Sequence, residues 1–162
     1  TLNGSPTFDT NGVTLNGSSQ YITIPQSIGS FGTDDFTISL WIQATNTLTN
    51  RHQHILSLAY DTTGWILVDV VPTSNLVRTV HGNNSNQSNF AYPVDSTDHN
   101  YILTRKSNSL KLFIDGVSKL TSTSNENIPS ADYHIGYSIP RNGGHYLHGI
   151  IKRVDIWKGT GF

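Results

Sequence analysis

The stretch FTISLWIQ, residues 36–43, decides the fold. Phe36, Ile38, Leu40 and Ile42 fall on one phase of a two-residue period, and Thr37, Ser39, Trp41 and Gln43 fall on the other. Successive side chains of a strand point to opposite faces, so this run reads as a strand with one face in a core and Trp41 on the outward phase. LKLFID repeats the pattern, with Leu110, Leu112 and Ile114 inward and Lys111 outward. Working outward, strands are expected in YITI (21–24), HILSLAY (54–60), WILVDVV (65–71), LVRTV (76–80), YILTRK (101–106), YHIGY (133–137) and YLHGIIKRVDIW (146–157). Turn clusters separate them at residues 61–64, 82–84, 125–127 and 141–144. Asp115-Gly116, between LKLFI and VSKL, is a two-residue hairpin turn that needs positive φ.

About ten short strands without a helical segment predict an antiparallel sandwich or barrel. Gly149 and the β-branched residues around it argue against a helix at 146–157. The polar run Asn83 to Asn89 reads as a long loop. No repeat and no domain boundary interrupts the 162 residues, which read as one domain. Residues 1–12 carry only Leu2 and Phe8 as sizeable apolar anchors, barely enough to offset the entropy of ordering them. They are expected to pack as a first strand of their own sandwich or as a strand donated to another copy.

The composition excludes several functions. Ten Lys and Arg against eleven Asp and Glu give a net charge of −1, so no basic grip on nucleic acid is expected. Only 13% of residues are charged, about half the usual share, and Ser, Thr and Asn supply 52 residues in their place. The absence of cysteine removes disulfides, thiolate chemistry and Cys-ligated zinc. No methionine occurs, even at position 1, so the chain reads as a processed or excised piece. No stretch is apolar enough to span a membrane, and no signal peptide remains.

Hydrolysis of a glycosidic bond needs two carboxyl groups across it. The only glutamate is Glu126, in a loop between Asn125 and Asn127, and Asp69 is the only Asp in the middle of an expected strand. Asp69 reads as an outward or edge carboxylate. No G-x-S-x-G elbow, G-x-G-x-x-G phosphate cradle or P-loop is present. His52 with His54, and His145 with His148, form two short-spaced pairs that can hold zinc only if the fold joins them. They read as surface or rim histidines, and no metal site is expected.

Sugar binding uses an aromatic face for the apolar side of a pyranose, with amides, carboxylates or guanidinium for its hydroxyls. YHIGYSIPRNGGHYLH (133–148) offers Tyr133, Tyr137, Arg141, Asn142, His145, Tyr146 and His148 around a Gly-rich loop. Trp41 adds an outward platform, whereas Trp157 reads as core or edge packing. Asn-x-Ser sequons stand at Asn3, Asn16, Asn83 and Asn86.

LNGSSQYITIP, DFTISLWI, LKLFIDG, and IGYS followed by YLHGIIKRVDIW occur in an order that resembles the laminin-G-like, concanavalin-A-like domains. The resemblance runs from about Val13 to Lys158 and implies an all-β, two-sheet antiparallel jelly-roll sandwich. Lys152 and Arg153 stand where family members often carry acids, and Asp98-His99-Asn100 keeps one histidine of a common aromatic-His-His step. Calcium at the rim is left open but lacks support, since Asp34-Asp35 is the only tight acidic pair. The expected function is a non-catalytic extracellular, cell-surface or virion-surface module. It would recognise a glycan or protein partner through rim loops, or assemble with copies of itself through Leu2 and Phe8.

Overall fold

The computed structural model describes residues 1–45, 52–59, 65–82, 86–91, 95–138 and 145–162. Arg141, Asn142 and Asn83, named above, lie outside the described residues, as do the turns at 61–64, 83–84 and 141–144. In chain order the strands are β1 (Leu2–Asn3), β2 (Thr7–Asp9), β3 (Gly12–Asn16), β4 (Tyr21–Ile24), β5 (Phe36–Ala44), β6 (Gln53–Leu58), β7 (Ile66–Val71) and β8 (Leu76–His81). They continue as β9 (Asn86–Ala91), β10 (Asp98–Lys106), β11 (Ser109–Ile114), β12 (Val117–Thr123), β13 (Tyr133–Ile135), β14 (Tyr137–Ser138), β15 (His145–Tyr146) and β16 (His148–Lys158). One helical turn, α1 (Gln26–Gly29), and a 3-10 turn at Pro72–Ser74 escape the two-residue pattern.

Two antiparallel seven-stranded sheets form the sandwich. The front sheet runs β1-β4-β13-β6-β7-β8-β9, and the back sheet runs β12-β11-β10-β5-β16-β3-β2. Phe36, Ile38, Leu40 and Ile42 are all buried in the core, as their phase predicts, with Leu110, Leu112 and Ile114 beside them. Ile55, Leu58, Ile66, Val68 and Val70 meet them from the front sheet. Full burial stabilises by about 1.5–3 kcal/mol per aliphatic side chain, so this layer drives folding. Asp115 and Gly116 have φ of 50° and 77°, the left-handed pair that the β11–β12 turn requires. Asp115 also accepts the Asn100 N–H at 2.8 Å, which ties the turn to β10.

Three expectations change. Residues 86–91 are strand β9 rather than loop, because an edge strand exposes both faces and has no apolar alternation to read; only Phe90 packs on the core. Trp157, expected as core or edge packing, stays out of the core at 41% exposure and meets Phe162 edge-on at 6.3 Å. The cause is a register shift between Ile151 and Arg153, a bulge at Lys152. Beyond it Val154 and Ile156 face the core, so Arg153, Asp155 and Trp157 take the outward phase. Thr37 and Thr104 lie on the outward phase yet are buried, because the C-terminal residues reach over them: Thr37 Oγ1 donates to the Thr160 carbonyl at 3.0 Å, and the Phe162 N–H donates to Thr104 Oγ1 at 3.1 Å.

The first twelve residues pair within their own chain. β1 pairs with β4, opposing Leu2 to Ile22, and β2 pairs with β3, opposing Phe8 to Val13. Even so, Leu2 is 46% and Phe8 73% exposed.

Candidate functional site

The outward side of the front sheet gathers aromatic and ionisable groups from strands that are distant in sequence. Tyr21 of β4 alternates with inward Ile24, and Thr23 of that strand pairs with His134 of β13. At Gly136 the chain takes φ +81°, and an added Cβ would overlap Leu15 Cδ1, so only glycine serves there. The Gly136 N–H donates to the Ile55 carbonyl at 3.0 Å, and its carbonyl accepts the Leu147 N–H at 2.9 Å. These bonds place Tyr137 of β14 against Tyr146 of β15, its register partner.

Tyr21, Tyr137 and Tyr146 then form a continuous strip. Tyr21 and Tyr137 ring centroids lie 4.6 Å apart, and Tyr137 stacks on Tyr146 at 4.7 Å. His134 meets Tyr21 edge-on at 5.3 Å and Tyr137 at 5.5 Å. All four are half-buried, so the strip presents ring surface while its base is fixed. Burial pushes the Tyr137 hydroxyl up and the His134 imidazole down, which leaves both neutral and suited to hydrogen bonding at neutral pH.

A second cluster adjoins this strip. A bulge between His54 and Leu56 turns His54 outward opposite Asp69. His145 stacks on His54 at 5.0 Å, meets His52 edge-on at 5.7 Å, and its Nδ1 lies 3.2 Å from the His52 carbonyl. Asp69 keeps the outward phase expected of it, but it lies on an inner strand of the sheet and is fully buried. Arg78 grips it through Nε at 3.0 Å from Oδ1 and through Nη2, while His52 Nδ1 stands 3.2 Å from Oδ2. Burial pushes the Asp69 carboxyl up, but the bonds from His52 and Arg78 outweigh it and hold it below the usual range. Burial also pulls His54 down to about 3. The expectation of rim histidines therefore fails for His54, which is 3% exposed. Among the described residues, the partners of Asp69 are His52, His54 and Arg78.

The structure thus brings Tyr137, His145 and Tyr146 together, and adds Tyr21, His134, His52, His54, Asp69 and Arg78, which the sequence reading did not place in a site. The outward phase of Tyr21 beside inward Ile24 was the available signal; its neighbours come from long-range pairing. His148 sits on the back sheet opposite Asn16, where its N–H donates to Gln53 Oε1 at 2.8 Å and its carbonyl accepts the Thr45 N–H at 2.9 Å. Trp41 is 42% exposed on the outward side of the back sheet, away from the tyrosines. No cluster of three or more metal-ligating side chains suited to an ion occurs among the described residues. Glu126 closes a different join, with His81 Nδ1 at 3.0 Å from Oε1, His81 Nε2 at 3.1 Å from Ser122 Oγ, and Ser124 donating to Oε2.

Two stacked antiparallel sheets with an aromatic strip on one outward side define a concanavalin-A-like sandwich. The chain belongs to the laminin G branch of the concanavalin A-like lectin/glucanase superfamily, whose family model matches residues 16–160. No curated protein sequence matches it. Among solved structures it is similar to domain 4 of an extracellular arabinanase from Geobacillus stearothermophilus in complex with arabinotriose, at 18% identity and TM-score 0.71, covering 100% of this chain and 77% of that one. It is similar to the CBM40 of a Ruminococcus gnavus sialidase bound to α2,3 sialyllactose, at 13% identity and TM-score 0.70, covering 94% and 91%. Mouse laminin α1 domains LG4-5 match at 15% identity and TM-score 0.66, covering 88% of this chain. The chain spans 40% of the length of that laminin fragment.

Proposed function

We propose that the chain is a non-catalytic extracellular module that recognises a glycan through the outward side of its front sheet. The observation that carries this reading is the Tyr21–Tyr137–Tyr146 strip, three half-buried rings in contact beside the neutral His134. A pyranose presents its C–H face to such rings and its hydroxyls to their rim, where His134 and His145 supply ring nitrogens. The Asp69–Arg78 pair underlies this surface and fixes the histidines. Arg141 and Asn142, between β14 and β15 in sequence, are proposed hydroxyl partners on their chemistry alone. The arabinanase domain in complex with arabinotriose and the CBM40 bound to α2,3 sialyllactose, both similar in fold, support the reading. A glycan array probed with the wild type and Tyr137→Ala tests it. Hits that vanish in the variant are expected, and an array without hits overturns it.

A second reading, a subunit of an appendage or surface assembly joined by N-terminal strands, rests on the exposure of Leu2 and Phe8 on two- and three-residue edge strands. Light scattering on the wild type and a chain lacking residues 1–12 separates the readings. Assembly predicts a concentration-dependent oligomer that the deletion abolishes.

A further inference from the structure

We propose that the outward side of the back sheet is a second, separate contact surface for a neutral saccharide, with Trp41 and Trp157 as its two stacking platforms, which makes the chain bivalent. This rests on the glycan reading above but uses other residues on the opposite sheet.

The register fixes the arrangement. Asn100 of β10, Trp41 of β5 and Arg153 of β16 lie side by side in one row. Ser39 and Asp155 oppose each other in the next row along β5, and Thr37 opposes Trp157 beyond it. Thr37 and Trp41 are four residues apart, which at roughly 3.3 Å per residue separates the indole-bearing rows by about 13 Å, the reach of a short oligosaccharide. Polar Ser39 and Asp155 stand between the indoles, with half-buried Ile102 of β10 beside Ser39 in the same row.

Two independent observations point to a ligand. The first is that the Lys152 bulge interrupts a central strand pair beside Trp41. Plain alternation from inward Ile151 would place Val154 and Ile156 outward; the bulge instead turns Arg153, Asp155 and Trp157 out. Bulges of this kind re-aim side chains next to binding sites. The second is charge. Arg153 Nε bonds Asp155 Oδ2 at 2.6 Å, and Lys152 pairs with Asp98, so these four groups neutralise one another in pairs. Asn100 Nδ2 is held by Ser39 Oγ at 3.0 Å, which fixes its amide beside the Trp41 ring. A protein partner would want a continuous apolar centre or a charge of one sign. Paired charges, fixed amides and separated indoles are complementary to a neutral ligand whose apolar faces alternate with hydroxyls.

The chain has only three tryptophans, and Trp65 is buried, so the indole N–H signals of a nitrogen-15 spectrum report this surface with an internal control. Cellotriose, xylotriose and laminaritriose are the probes, titrated into the full chain. At least one is expected to shift the Trp41 and Trp157 signals and leave Trp65 still. That response should persist in Tyr137→Ala/Tyr146→Ala and disappear in Trp41→Ala/Trp157→Ala, with calorimetric stoichiometry falling from two to one in either variant. Backbone shifts around Tyr21 and Tyr137 with unmoved Trp41 and Trp157 signals would overturn the second surface and leave the first. Silence of every signal would overturn both. Broadening of the two indoles with protein concentration, without sugar, would assign the face to a second copy and overturn the saccharide assignment.

Discussion

Burial pulls the His54 imidazole down to about 3 against an ordinary 6.5. Between those values the unfolded chain takes up a proton that the folded chain refuses, so acidification lowers stability by up to about 1.4 kcal/mol per pH unit. Asp69 and Glu126, both held below their usual range, add to this loss as pH falls through the carboxylate region. His99 opposes it. Burial pulls its imidazole down, but bonds to Asp115 and Asp95 outweigh that and raise it, so its contribution is full at low pH and fades as pH rises. Melting temperature measured from pH 7 to pH 4 is therefore expected to fall, and His54→Gln is expected to flatten the fall; an identical slope in the variant would remove His54 as its source. Asp69→Asn leaves the Arg78 guanidinium without its charge partner and is expected to lower stability by about 3 kcal/mol in chemical denaturation.

At the level of elements, the Lys152 bulge sets the phase of the last half of β16. Deleting Lys152 removes the unpaired residue and leaves Ile151 followed by Arg153 in plain alternation, so Arg153, Asp155 and Trp157 are expected to stay outward and the variant to keep a cooperative thermal transition; loss of that transition would show that the bulge itself is required. Lys152→Ala keeps the bulge and removes only the surface pair with Asp98, worth under about 1 kcal/mol. Gly136→Ala forces a side chain into positive φ and against Leu15, with an expected loss of about 1–3 kcal/mol by denaturation. These two positions also show where sequence reading stops. β5 and the Asp115-Gly116 turn are legible because their signals are local: alternation over eight residues and a positive-φ dipeptide. A bulge shifts the phase without marking the sequence, so alternation alone leaves Trp157 as core or edge packing. β9 is silent because an edge strand has no face that must be apolar. Asp69 reads as outward from its phase, which is right, but its burial depends on neighbours that periodicity does not name.

For the whole molecule, the sandwich separates two aromatic surfaces on opposite sides. The front surface is partly legible, since YHIGYSIPRNGGHYLH concentrates the right side chains in one stretch. Tyr21 and the histidines join it only through β4–β13 and β6–β7 pairing, contacts made across long stretches of chain. A module with one sugar surface on each side can cross-link strands of a polysaccharide, a role that neither surface supports alone. The central claim is that the Tyr21–Tyr137–Tyr146 strip binds sugar, and calorimetric titration of an array hit into Tyr137→Ala/Tyr146→Ala, its melting temperature matched to wild type, tests it most directly. Loss of the front-surface binding event, at least tenfold in affinity or about 1.4 kcal/mol, is predicted. Wild-type affinity and stoichiometry in that variant would contradict it.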